Sequence, residues 1–74
     1  MTKVQEFRER RKQTQEQLAT ASGVKQQTIS AIENGKNKNP GILTMWRLAM
    51  ALRCTVDDLV DEEAVENEKA RMEA

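Results

Sequence analysis

The stretch from Thr14 to Lys36, TQEQLATASGVKQQTISAIENGK, constrains the fold more than any other part of the chain. Over the twenty residues from Gln15 to Asn34 it sets Ala19, Gly23, Val24, Ile29 and Ile32 where two short helices crossing at a tight turn need small, turning and apolar side chains. Ala19 admits close approach of the second helix. Gly23 can take the positive φ that ends the first, and Val24, Ile29 and Ile32 face inward.

The second helix of this helix-turn-helix unit separates its residues by chemistry when about 100° is allotted to each. Gln26, Gln27, Ser30, Ala31 and Asn34 share one face, Thr28, Ile29 and Ile32 fall opposite, and Glu33 lies at the border. The aliphatic side is expected to pack, leaving amides, a hydroxyl and a methyl outside. Such a face suits the major groove of DNA, because Gln can pair bidentately with adenine and Ala can touch a thymine methyl. The plainer alternative is a merely solvated polar face. Attachment to this turn favours base readout by Gln26, Gln27, Ser30 and Ala31.

Residues from about Val4 to Val60 resemble the lambda repressor-like DNA-binding domain of the XRE family. The blocks TQEQLA, SGV, TISAIENGK and LAMALRCTVDDL carry the resemblance, which covers roughly three quarters of the chain. It implies an all-α fold of five helices, with the helix-turn-helix as the second and third. In that family an arginine seven residues before the helix-two glutamine pairs with the glutamate of the ENGK block. Here those residues are Arg8 and Glu33, and the resemblance implies a bidentate structural contact between them. Two departures stand out. Arg53 replaces the glycine that usually closes the fourth helix, and the acidic end after Val60 has no counterpart.

With 74 residues the chain is one domain, near the size at which a single core still suffices without staples. It contains no His and a lone Cys54, so neither a zinc site nor an internal disulfide is expected, and packing alone must hold the fold. Cys54 reads as a small buried hydrophobe. No run reaches the length of a membrane span, and MTKVQEFRERRK lacks the apolar core of a signal peptide, so a cytoplasmic protein is expected. The formal charge of zero hides two opposed parts. Residues 1–53 hold ten Lys or Arg against four Glu, a net +6, and residues 54–74 hold two against eight acids, a net −6. Only the basic body needs to meet phosphate.

In chain order, the first helix is expected over 3–12, with Val4 and Phe7 three apart on its inner face. Arg8, Arg10, Arg11 and Lys12 form a basic run that either faces phosphate or is simply solvated. Thr14 is an N-cap with Gln17 completing a capping box, which leaves Gln15 at the first helical position, where free N–H groups and the helix dipole favour an anion. Leu18 and Ala21 are expected to give this helix its buried side. Lys25 and Gln26 open the third helix, and Asn34 and Gly35 stop it. The loop KNKNPG brings Lys36 and Lys38 into a segment without apolar residues, as a second phosphate-contacting site or as a flexible solvated loop. A fourth helix is expected over 43–52, with Met45, Leu48, Ala49 and Leu52 inward, Ile42 stapling its entry, and Trp46 at the core rim in preference to a dimer or partner contact. Thr55 caps a short fifth helix carrying Val56, Leu59 and Val60, with Asp57 and Asp58 in its first turn. Residues 61–74 form an acidic extension, expected as a frayed helix or disordered, with a dimer-forming helix as the lesser option.

These readings converge on a sequence-specific binder of a double-stranded DNA operator, a transcriptional regulator acting as a repressor and as a homodimer. Gln15, Lys25, Asn34, Lys36 and Lys38 are the expected phosphate contacts. No cofactor, metal, small-molecule ligand or membrane partner is implied. The runner-up is an interaction adaptor that keeps the fold without operator binding. An enzyme has little to be built from: no His, no usable Cys site and no glycine-rich phosphate loop.

Overall fold

The computed structural model describes residues 2–61, residue 66 and residues 69–72. Its helices are α1 (Lys3–Arg10), α2 (Gln15–Ser22), α3 (Gln26–Glu33), α4 (Ile42–Leu52) and α5 (Val56–Leu59), with no strand among the described residues. Glu66 and residues 69–72 are also helical and exposed. The rest of the acidic extension, and with it the expectation of a frayed or dimer-forming helix there, lies outside the described residues. None of the helices described is long and apolar enough to cross a membrane.

Local chemistry explains where the helices begin. Thr2, Thr14 and Thr55 each stand at an N-cap in extended conformation, and each accepts a backbone N–H three residues on. At Thr14 and Thr55 the reciprocal bond is present too: Gln17 and Asp58 accept the cap residue's own N–H, at 2.9 and 3.0 Å. Asp58 is held below the usual carboxylate range by the N–H and hydroxyl of Thr55.

The ends depend on left-handed residues. Gly23 closes α2 at φ 77° with its N–H on the Ala19 carbonyl, as its lack of a side chain permits. α1 stops at Arg10, two residues before the expected end. Lys12 adopts φ 55°, and Gln13 N–H reaches back to the Arg8 carbonyl while Lys12 N–H bonds that of Glu9. α4 ends the same way: Arg53, at φ 55°, is followed by Cys54 donating to the Ala49 carbonyl. The helix therefore ends at Leu52 as expected, with Arg53 taking, under strain, the left-handed place usually given to glycine.

The core is Val4, Leu18, Val24, Ile29, Ile32, Met45, Leu48, Ala49, Leu52 and Leu59, with Phe7, Ala19, Ala51, Cys54 and Val56 packed against it. α2 packs on both α3 and α4, α5 sits on α4, and α1 touches α3, α4 and α5. Burial raises the Cys54 thiol pKa, with the Asp58 charge adding to it, as suits an unreactive packing residue. Lys3 N–H donates to the Asp61 carboxylate at 3.0 Å, so the first residue of the extension is tied to the start of α1.

Three expectations about packing are corrected. Ala21 is exposed, because α2 meets its neighbours through Leu18 and Ala19, and Ala21 falls on the other flank of Leu18. Ile42 does not staple the entry of α4 but is exposed as the helix's first residue. Trp46 stands outside the core rim, with half its surface in solvent.

Replacing Arg53 by glycine should relieve the left-handed conformation. That conformation costs a side-chain-bearing residue about 1–2 kcal/mol, part of which glycine forfeits through its looser unfolded chain. Arg53→Gly is therefore expected to raise stability by roughly 1 kcal/mol in urea unfolding. A lower midpoint would mean that the arginine side chain itself holds the junction.

Candidate nucleic-acid interface

α3 places its residues as the helical projection requires. Ile29 and Ile32 are buried, Thr28 is half-buried, Ser30 and Ala31 are half-buried on the outer side, and Gln26, Gln27 and Asn34 are exposed. Around this outer face lies a shallow, open depression of about 440 Å³, lined by Gln15, Gln26, Gln27, Ser30, Ala31, Asn34 and Lys36. The fold thus gathers all four expected base-contacting residues with three of the five expected phosphate contacts. Lys25 and Lys38 are exposed but do not line it: Lys25 is the N-cap of α3, and Lys38 lies further along the loop.

Behind the depression is a largely buried ion pair. Arg8 Nε donates to Glu33 Oε2 at 2.8 Å and Nη2 to Oε1 at 2.9 Å, with only 12% and 5% of the two side chains exposed. The third guanidinium nitrogen, Nη1, donates to the Gln13 carbonyl at 2.7 Å. The Glu33 hydrogen bond raises the Arg8 pKa above its already high ordinary value, so the guanidinium stays charged. Glu33 Oε1 also accepts from Gln15 Nε2 at 3.1 Å. One carboxylate therefore fixes the C-terminal turn of α3 to α1 and also orients the first side chain of α2. Gln13 Oε1 is buried beside this junction without a partner.

The link from Glu33 to Gln15 was not foreseen from sequence, and it changes how Gln15 can act. One N–H of its amide is committed to Glu33, leaving the second N–H and the carbonyl for anything in the depression. Arg8 neutralises the carboxylate directly behind that amide.

The segment after α3 is more ordered than a flexible loop. Asn34 Oδ1 accepts the Lys36 N–H at 2.9 Å, and Asn37 Oδ1 accepts the Asn39 N–H at 3.2 Å. Asn37 N–H in turn bonds the Ala31 carbonyl at 3.0 Å, docking the loop onto α3. These are Asx turns, and the repeated Asn-x-x spacing of NGK and NKN is the sequence signal that could have found them. They hold Lys36 at the rim of the depression. In the basic run of α1, Arg10 lies 5.0 Å from the centre of the Phe7 ring and 3.8 Å from Glu6, while Arg11 and Lys12 are exposed in the turn before Thr14.

Comparison with known proteins identifies the family. The helix-turn-helix family matches residues 4–59. The chain is 42% identical over 57 residues to an uncharacterized HTH-type transcriptional regulator, RghRB, of Bacillus subtilis, covering 77% of this chain and 41% of that protein. It is 48% identical over 54 residues to the HTH-type transcriptional repressor RghR of the same organism, covering 73% of this chain and 40% of that one. An HTH-type transcriptional regulator of Archaeoglobus fulgidus is 37% identical over 65 residues, 84% of this chain and 91% of its own. The chain thus spans about two fifths of the Bacillus proteins and nine tenths of the archaeal one. No solved structure matches it.

Removing one partner of the Arg8–Glu33 pair strands a charge that is mostly out of water. Arg8→Ala and Glu33→Ala should each cost about 3 kcal/mol in urea unfolding. The double change to Met at both positions should cost less than either single change, because no charge is then left unpaired. Midpoints that match wild type in both single variants would reduce the pair to surface decoration.

Proposed function

Since the chain belongs to the XRE-type helix-turn-helix family of DNA-binding transcriptional regulators, we propose that it represses transcription by occupying a specific double-stranded operator. The observation that carries this reading is the joining of an amide- and methyl-bearing helix face with an anion-favouring helix N-terminus and a fixed lysine in one open depression. Depth and enclosure of the kind a small-molecule site needs are absent from it.

In this mechanism α3 enters the major groove N-terminus first. Gln26 and Gln27 pair bidentately with adenine edges, Ala31 meets a thymine methyl and Ser30 takes either a donor or an acceptor. Gln15, with the free N–H groups that open α2, and Lys36 flank α3 on the backbone and fix its register; Asn34, whose amide NH₂ remains a donor, adds a third contact. Lys25 and Lys38, outside the depression, contribute long-range attraction and outer phosphate contacts. Two copies bind a two-fold operator, and repression is steric occupancy in the cytoplasm, with no cofactor or small-molecule ligand in the scheme. The adaptor alternative draws on the zero net charge, yet the six-unit excess of cations lies wholly within residues 1–53.

Selection from a randomised duplex pool at two salt concentrations tests the reading. A two-fold site should be enriched. On that site Gln26→Ala or Gln27→Ala should flatten preference at one or two positions per half-site, by about 1–3 kcal/mol of discrimination. Lys36→Ala should instead weaken all sequences alike and lower the magnitude of the salt slope by roughly one unit. A pool that emerges without enrichment would favour the adaptor.

A further inference from the structure

α4 is apolar on two adjoining faces, and only one of them is used by the core. Met45, Leu48, Ala49 and Leu52 are buried. Ile42, Leu43, Trp46 and Met50 are exposed, at 74, 56, 52 and 61% of their surface. At about 100° per residue those four fall within a sector of roughly 100°, as wide as the stripe by which a helix normally packs on a core. Only one other large apolar side chain among the described residues, Met72, is exposed. A concentration of this kind on one helix marks a contact surface.

We propose that this stripe is the surface through which two copies of the chain associate, the α4 helices crossing antiparallel about a two-fold axis at Trp46. The choice of a second copy rests on the two-fold operator reading above, and two features of the stripe support it. First, Ile42, Trp46 and Met50 recur at intervals of four, symmetric about the tryptophan. In an antiparallel pair Ile42 of each copy meets Met50 of the other while the tryptophans meet at the axis, which is the self-complementarity an isologous interface requires. Second, the four side chains expose on the order of 500 Å² per copy, so full burial of the stripe in a pair withdraws up to about 1,000 Å² from water, the lower limit for a weak, reversible biological interface.

The sector holds no charged residue; Arg47 flanks it just beyond Leu43. In a two-fold antiparallel pair the same flanks meet, so the two Arg47 side chains lie close together at the solvated rim. Salt screens that repulsion and strengthens apolar burial. Self-association therefore tightens with salt, whereas binding to DNA weakens with it.

Sedimentation equilibrium of the whole chain, from micromolar to near-millimolar concentration at low and high salt, is the test. The weight-average mass should climb from 8.4 kDa toward twice that value. It should climb further in high salt, with the emission of Trp46, the sole tryptophan, moving to shorter wavelength as the mass rises. Trp46→Glu and Met50→Lys alter exposed positions, so both should fold by circular dichroism yet associate at least tenfold more weakly. Both should bind a single half-site duplex as wild type does and lose cooperativity on two half-sites. A wild-type chain that stays monomeric throughout overturns the proposal, whatever then covers the stripe. So does a dimer that both variants leave intact. If wild type pairs, the variants do not, and none binds any duplex, the interface stands and the operator reading falls.

Discussion

The bidentate contact between Arg8 and Glu33 is the interaction on which the functional geometry depends. Burying two charges is costly, and their attraction offsets the cost only when the remaining donors and acceptors are also satisfied. Here they are. The guanidinium makes two bonds to the carboxylate and a third to the Gln13 carbonyl, and the carboxylate takes a further bond from Gln15. The pair therefore does more than hold α1 against α3. It sets the position of the α3 C-terminal turn relative to the N-terminus of α2, the two elements that flank the depression, and this relative placement is what a groove-reading helix needs from its scaffold. Its contribution is one of geometry more than of stability.

A chain of this size has few side chains to spare, and the fold shows where they were committed. Among the described residues, ten buried apolar side chains, drawn from all five helices and the turn at Val24, make the core, and no polar residue is fully buried with them. Ends are set by threonine caps and by left-handed turns, two of which are occupied by Lys12 and Arg53 instead of glycine. Strain at such positions is tolerable because each is over-determined by the backbone bonds that close the helix behind it. The outer faces of α3 and α4 then differ in character: α3 offers amides and small groups, α4 large apolar ones. The first face is the one proposed to meet a DNA groove, the second the one proposed to pair with another copy.

Much of this was legible in the residues. The capping boxes of Thr14 with Gln17 and Thr55 with Asp58 follow from local spacing, as does the left-handed Gly23, because short-range hydrogen bonds decide them. The division of α3 follows from helical periodicity alone. Arg8 and Glu33, by contrast, are twenty-five residues apart, and only resemblance to a family pointed to their pairing. What stayed illegible was orientation on helices with apolar residues on more than one side. In α2 the helix-turn-helix pattern marks Ala19 as packed, but nothing in the spacing shows that Ala21 lies outside the buried side; in α4 the spacing finds the inner stripe Met45, Leu48, Ala49 and Leu52 but not that its neighbours Ile42 and Trp46 face solvent. How far round such a helix the buried face extends is decided by the packing of its neighbours, α2 and α5 on α4, which spacing does not encode. The bond from Gln15 to Glu33 was hidden for a related reason: it depends on the crossing of two helices, which no spacing encodes.

The central claim is that the outward face of α3 meets base edges, held there by the junction behind it. Intermolecular nuclear Overhauser contacts in a complex of the isotope-labelled chain with a selected duplex test it most directly. The account predicts contacts from the Ala31 methyl and the Gln26 and Gln27 side-chain amides to protons of the major groove, with the Gln15 and Lys36 amides shifting as the backbone is engaged. Contacts confined to sugar protons, or arising from α4 while the α3 side chains stay unperturbed, would contradict it.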